Sequence, residues 1–230
     1  MIPTSDVCLA CQRRQLHTLP SGEWRARSVT TALKLRAGVS AVSVVLEAWL
    51  SARLEGGIPS TEDAAVYDTL SGVVALVMIL SMAACALTFL RWLHLAVRTA
   101  NMLGVSQDSP RWAVAYWFIP LANLIRPYQF LRDLRRALGG PAEERLLQWW
   151  WAAWVAASLG NRVSTSLTQR VENDGSLFSA ALVTDIAVEA TMLVGAMLCI
   201  RVVREVHSLL EDRVADVVGP RRNGPLTARE

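Results

Sequence analysis

Asp185 and Glu189 stand four residues apart inside an apolar run over residues 177–200, so a helix through that run carries both carboxylates on one face. Glu47 lies in the outer part of another apolar run, and Arg162 interrupts a third. Ionisable groups at such positions are costly in hydrocarbon unless paired, protonated or hydrated. Two readings follow for this intramembrane set of Glu47, Arg162, Asp185 and Glu189. It is either an ion pair that fixes helix order, with Arg162 at the depth of Asp185 and one carboxylate protonated, or the lining of a polar cavity for protons, ions or a small solute.

Cys8-x-x-Cys11 has the spacing of half a zinc site. A structural zinc takes four ligands; His17 offers a third, and nothing nearby is a convincing fourth. Free thiols are the expectation, with zinc shared between two chains as the alternative. Cys85 and Cys199 sit inside apolar runs, so the four cysteines form no disulfide framework. There is no Gly-x-Ser-x-Gly elbow, His-Glu-x-x-His helix, phosphate loop or dinucleotide fingerprint. His94 and His207 are isolated, and Ser164 and Ser166 have no base near them in sequence. The expectation is a protein that is not an enzyme and has no cofactor.

The elements that must hold these residues are helices in a bilayer. Apolar side chains make up 53% of the chain, and three stretches approach or exceed the roughly 20 residues needed to cross hydrocarbon. The expected spans fall near residues 32–51, 70–92, 146–168 and 177–203, the third being weakest because Asn161 and Arg162 break it. About thirty polar residues precede the first span, too many for the charged region of a signal peptide, so that span reads as a retained anchor. The formal charge of +3 and the lack of a basic patch interleaved with exposed aromatics argue against a nucleic-acid partner.

Between the second and third spans the chain is apolar yet broken by Pro120 and Pro127. Asp108-Ser109-Pro110 has the form of a helix start, with an N-cap side chain and a proline in the first turn. The run that follows is only about 13 residues, a length expected of a re-entrant or interfacial segment. Phe130, Leu131, Leu134 and Leu138 then share a helical face, with Arg132, Asp133, Arg135 and Arg136 elsewhere. That pattern predicts an amphipathic helix on an anionic leaflet. Arg91, His94, Arg98 and Asn101, at steps of three and four, form a polar stripe suited to anionic lipid headgroups, to capping the carbonyls released around Pro120, or to solvation at the interface.

Basic residues give the orientation. Six precede residue 37, eight lie between Arg91 and Gln148, and six lie from Arg201 onward; the two hairpin loops hold one (Arg53) and two (Arg162, Arg170). Only a broken segment that returns to its own side keeps both termini and the arginine cluster inside.

The chain resembles a bacterial membrane-protein family catalogued as domain of unknown function 4328. The resemblance rests on Trp92, Arg98 and Asn101, then Ser109-Pro110, Trp117-Phe118-Ile119-Pro120, Asn123, Arg126-Pro127, Leu131-Arg132 and Trp150-Trp151, and covers about residues 70–205. It implies a multi-span helical protein and no activity. Many members carry two Cys-x-x-Cys pairs at the N-terminus, whereas this chain has one, so a complete zinc site is not carried over.

The expected fold is therefore all-α, a polytopic membrane bundle of four transmembrane helices with a proline-broken re-entrant or interfacial segment over residues 110–138. A polar cytoplasmic tail (1–28) precedes the membrane domain (29–205) and a cytoplasmic tail (206–230) follows. The expected place is the bacterial inner membrane with both termini cytoplasmic. The expected partners are the bilayer, anionic lipid of the cytoplasmic leaflet, and a second copy or another membrane protein. A non-enzymatic sensing, scaffolding or regulatory module is the preferred function, a small transporter or channel the alternative. Metal analysis of the purified protein is expected to find less than one zinc per chain, unchanged by Cys8→Ser with Cys11→Ser; a full equivalent lost in that variant would establish a zinc site.

Overall fold

The long helices overrun the apolar stretches that announce them. The computed structural model describes residues 22–55, 61–106, 108–171 and 175–218. Among these are six α-helices, two 3-10 turns and no strand. They are α1 (Glu23–Glu55), α2 (Thr61–Met102), α3 (Pro110–Ala115), α4 (Arg126–Ala137), α5 (Arg145–Val171) and α6 (Phe178–Val218), with 3-10 turns at Ala122–Leu124 and Gly175–Leu177. The first helix starts inside the stretch expected to be a polar tail, and the last runs well into the expected C-terminal tail. Both extensions lack glycine and proline, the residues that break helices. Hydropathy marks the part of a helix that meets lipid, and propensity carries the helix further. Cys8 and Cys11 lie outside the described residues.

Three helices are long and apolar enough to cross a membrane: Glu23–Trp49, Thr69–Met102 and Phe178–Val218. The expected fourth, α5, has 27 residues but falls short in apolarity because its second half carries Asn161, Arg162, Gln169 and Arg170. In α2 only 11% of the most apolar window is buried, so its Val73, Leu76, Ile79, Leu80 and Leu87 face outward. A surface of this kind is ruinous in water and ordinary in lipid.

The described residues divide into two compact units. One comprises Arg25–Trp92 and Glu143–Arg204. Within it α5 and α6 run antiparallel at close range. Ser164 bonds Asp185; a β-carbon on Gly160 would lie 2.8 Å from Val188; and one on Gly195 would lie 3.8 Å from Ala153. The buried face of α5 is Leu147, Trp150, Ala157 and Ser164, and Trp150 meets Phe89 of α2 at 6.3 Å between ring centroids. Small side chains recur at these contacts (Ser40, Ser43, Ser81, Ala157, Ala181, Ala196), as expected where helices associate without a water-driven hydrophobic effect.

The other unit takes the described parts of Met1–Trp24, Leu93–Ala142 and Glu205–Glu230. Helix α2 stops at Gly104, whose φ is +72°; Gly104 N–H donates to Asn101 and Val105 N–H to Ala100, the paired bonds of a Schellman stop. Helix α4 stops the same way at Gly139 (φ +83°), with Gly139 N–H on Arg136 and Gly140 N–H on Arg135. Between them α3 is a helix of six residues, about 9 Å long, far short of the roughly 30 Å of hydrocarbon. Ser109 occupies its N-cap position and Pro110 its first turn, but the expected side-chain cap is not made. Turns over residues 116–121 and the 3-10 turn follow, so residues 110–125 contain no helix of spanning length.

A β-carbon on Gly140 would meet Arg135 Cγ at 2.8 Å and the Arg135 carbonyl oxygen at 2.9 Å, whereas one on Gly38 would meet nothing within 4 Å. Gly140→Ala is therefore expected to destabilise by about 1–3 kcal/mol, while Gly38→Ala, in a helix interior, is neutral or stabilising. Thermal unfolding in detergent compares the two directly.

Candidate functional site

Helix α1 places Arg36, Ser40, Ser43 and Glu47 at steps of four, three and four, so all lie on one face. Because α1 begins at Glu23, Arg36 is 13 residues in, about 20 Å from the start, instead of at the helix end as the basic-residue count assumed. Its Nη1 donates to Ser40 Oγ at 2.8 Å, and its Nη2 lies 3.4 Å from both carboxylate oxygens of Glu189. The two side chains are 12% and 10% exposed, so the pair is sequestered from solvent. Asp185, one turn before Glu189 on α6, accepts a short hydrogen bond from Ser164 of α5. Glu47 accepts from Ser43 at 3.0 Å through one oxygen; its other oxygen is buried without a hydrogen bond.

The structure thus joins two of the four expected residues to partners the sequence reading missed. Glu189 pairs with Arg36, and Asp185 with Ser164. Arg162 is exposed on α5 and does not join the seam, which corrects the expected pairing of Arg162 with Asp185. Arg162 stands two residues before Ser164, which puts it on the opposite side of α5 from the buried face that carries Leu147, Trp150, Ala157 and Ser164, and that azimuth cannot be read from hydropathy alone. The seam holds three carboxylates against one guanidinium. Its chemistry is that of an electrostatic lock between α1 and α6 with a hydrogen-bonded link from α5 to α6. Among the described residues no group of three His, Cys, Asp or Glu side chains is placed to hold a metal.

The second unit carries most of the remaining candidate residues, in turn-making and packing roles. Asn101 Nδ2 donates to the Asp108 carbonyl at 2.7 Å, and the His94 ring nitrogen Nδ1 lies 3.2 Å from the Pro110 carbonyl. The bonds of the polar stripe therefore hold the start of α3, at carbonyls well before Pro120 and not in the turn at Pro120–Pro127. Arg98 and Pro120 are exposed, and Pro127 is buried in the first turn of α4. Asn123 N–H donates to Ile119 at 2.7 Å across Pro120. The Arg126 guanidinium lies 5.8 Å from the Tyr116 ring centroid, within cation–π range, and so ties the two ends of the broken segment together. Trp92, in the helical unit, packs on Phe89 at 5.6 Å, and Trp151 stacks on Trp154 at 4.8 Å.

Helix α4 does not offer its apolar face to a bilayer. Leu131, Leu134 and Leu138 are almost completely buried in protein, and so is Arg135, which was expected off that face but stands four residues after Leu131 and shares it. Arg135 Nε and Nη2 contact Glu205 Oε1 at 2.8 and 2.7 Å, and Arg213 Nε donates to the Leu138 carbonyl at 3.1 Å, capping the end of α4. What the unit exposes is the broken segment. Phe118 is 71% and Leu121 82% exposed, with Trp112, Ile119, Leu124 and Ile125 also open and Arg111 and Arg126 exposed beside them.

Residues 57–208 match the family described as Domain of unknown function (DUF4328), and the chain belongs to it. No curated protein matches, and no solved structure matches.

Ser164→Ala is expected to cost about 1–3 kcal/mol of stability by leaving the Asp185 carboxylate without its donor. Arg162→Gln should change stability by no more than about 0.5 kcal/mol, as for other exposed positions. Chemical denaturation in mixed micelles distinguishes them.

Proposed function

We propose, from membership of this family and from the geometry above, that the protein is a non-enzymatic integral membrane module that senses, scaffolds or regulates. We place it in the bacterial inner membrane as a four-span chain with both termini cytoplasmic. The observation that carries the reading is the exposed apolar segment from Phe118 to Ile125, flanked by Arg111 and Arg126. Each such side chain gains roughly 1.5–3 kcal/mol on full removal from water, and neighbouring arginines suit an anionic leaflet. This segment dips into the cytoplasmic leaflet and returns, taking the membrane contact first expected of α4.

Support for α5 as the fourth span comes from its contacts with α6, which extend in antiparallel order from Ser164–Asp185 to Ala153–Gly195. Its exposed side chains from Trp149 to Leu159 are all apolar, and polar exposed ones begin at Asn161. Arg162 then sits at the outer interface, where a long basic side chain reaches water.

The second reading, a small transporter, is favoured by one observation: Glu47 has a buried carboxylate oxygen without a hydrogen bond and is within electrostatic reach of Asp185 and Glu189. Reconstituted vesicles test it, since the module reading expects no proton or cation flux above protein-free controls. For topology, single cysteines at Glu143 and Ser176 in a chain with its four cysteines replaced are expected to react with impermeant reagent from opposite sides, Glu143 from the cytoplasmic one. Reaction of both from one side would remove α5 as a span.

A further inference from the structure

An open groove of about 650 Å³ runs between α5 and α6, with Leu146, Trp149, Ala152, Ala156 and Leu198 on its walls and Arg201 at its end. Its floor is shallow because Ala152 and Ala156, one turn apart on α5, present only methyl groups outward. The exposed face of α6 reads Val183, Ala187, Ala190, Val194 and Met197, and then changes abruptly to Arg201 and Arg204. The groove lies where that face turns from apolar to cationic. Arg201 is exposed, and among the described residues it has no hydrogen-bond or ion-pair partner.

We propose that this groove is a binding site for one anionic glycerophospholipid, with an acyl chain along Ala152 and Ala156 and the phosphate at Arg201. The amphiphile matches the site in order: an apolar trough, an exposed tryptophan at headgroup level, and an arginine whose guanidinium presents paired donors to phosphate oxygens. Charge complementarity chooses the lipid over a helix from a second copy, because a helix of apolar residues filling the trough would leave Arg201 with no counter-charge. Arg204, three residues on and exposed on the same side of α6, adds to the attraction for an anionic headgroup. The site rests on the reading of α5 as a span, and it differs from the interfacial contact assigned to residues 118–125.

The test is native mass spectrometry of the full-length protein released from mixed micelles holding equal phosphatidylglycerol and phosphatidylcholine. The wild type is expected to retain phosphatidylglycerol about fivefold over phosphatidylcholine, because one basic residue near an anionic surface contributes about 1 kcal/mol. Arg201→Gln should bring that ratio close to one and Arg201→Lys should keep most of it. Ala152→Phe with Ala156→Phe should lose retention of both lipids, with thermal unfolding unchanged because these positions are exposed. Equal retention of the two lipids by the wild type, or an unchanged preference in Arg201→Gln, overturns the proposal. So does a groove-filled variant that loses a dimer and keeps its lipid, which would assign the groove to a second copy. Impermeant labelling at Gln148 and Ser166 separates the two claims: opposite sides with no lipid preference leaves the span standing and removes only the lipid site.

Discussion

Arg36 and Glu189 impose the constraint on which the helical unit depends. A guanidinium 13 residues into an apolar helix has no water to turn to, and a carboxylate 11 residues into another is in the same position. Each is tolerable because of the other, and Ser40 occupies one more donor of the guanidinium. The pair therefore sets which faces of α1 and α6 meet. Ser164 on Asp185 does the same for α5 and α6, and the close approach at Gly160 leaves that contact little freedom to slide. Polar groups buried in this way specify helix order more than they add stability, since the cost of dehydrating them offsets much of their attraction.

The same economy of partners governs the second unit. Two helices end on glycines with positive φ, and their last carbonyls are taken up by the chain itself or, at Leu138, by Arg213. The proline-broken segment between them is held by Asn101 and His94 at its start and by Arg126 over Tyr116 at its close. Polar and aromatic side chains are thus spent on closing the segment, and its aliphatic side chains are left facing outward. The result is a short segment tied at both ends with an apolar rim, whose only α-helix is too short to cross hydrocarbon.

Much of this architecture was legible in residue types. Gly104 and Gly139-Gly140 mark true helix stops, and Pro120 and Pro127 mark a real break, because backbone conformations that need glycine or suit proline leave a local signature. The carboxylates at Asp185 and Glu189 announced a polar seam. Their partners were hidden for a physical reason. Arg36 stood near the apparent end of an apolar run, but the polar residues before it continue the helix, so its depth depended on where α1 starts. Arg162 looked the better candidate by depth, yet depth without azimuth does not make a contact. Arg135, expected off the leucine face of α4, stands four residues after Leu131 and so shares that face, where it is held by Glu205. The polar second half of α5 keeps its hydropathy below that of the three long apolar helices, although its exposed side chains from Trp149 to Leu159 are all apolar.

The account stands on the coupling between Arg36 and Glu189, and a double-mutant cycle of reversible unfolding in bicelles measures it. Arg36→Met and Glu189→Leu are each expected to lose about 3 kcal/mol, because each leaves a buried charge without its counterpart. The double variant is expected to recover most of that loss. Single losses that simply add in the double variant would mean that the two side chains do not act on each other, and would contradict the arrangement of α1 against α6.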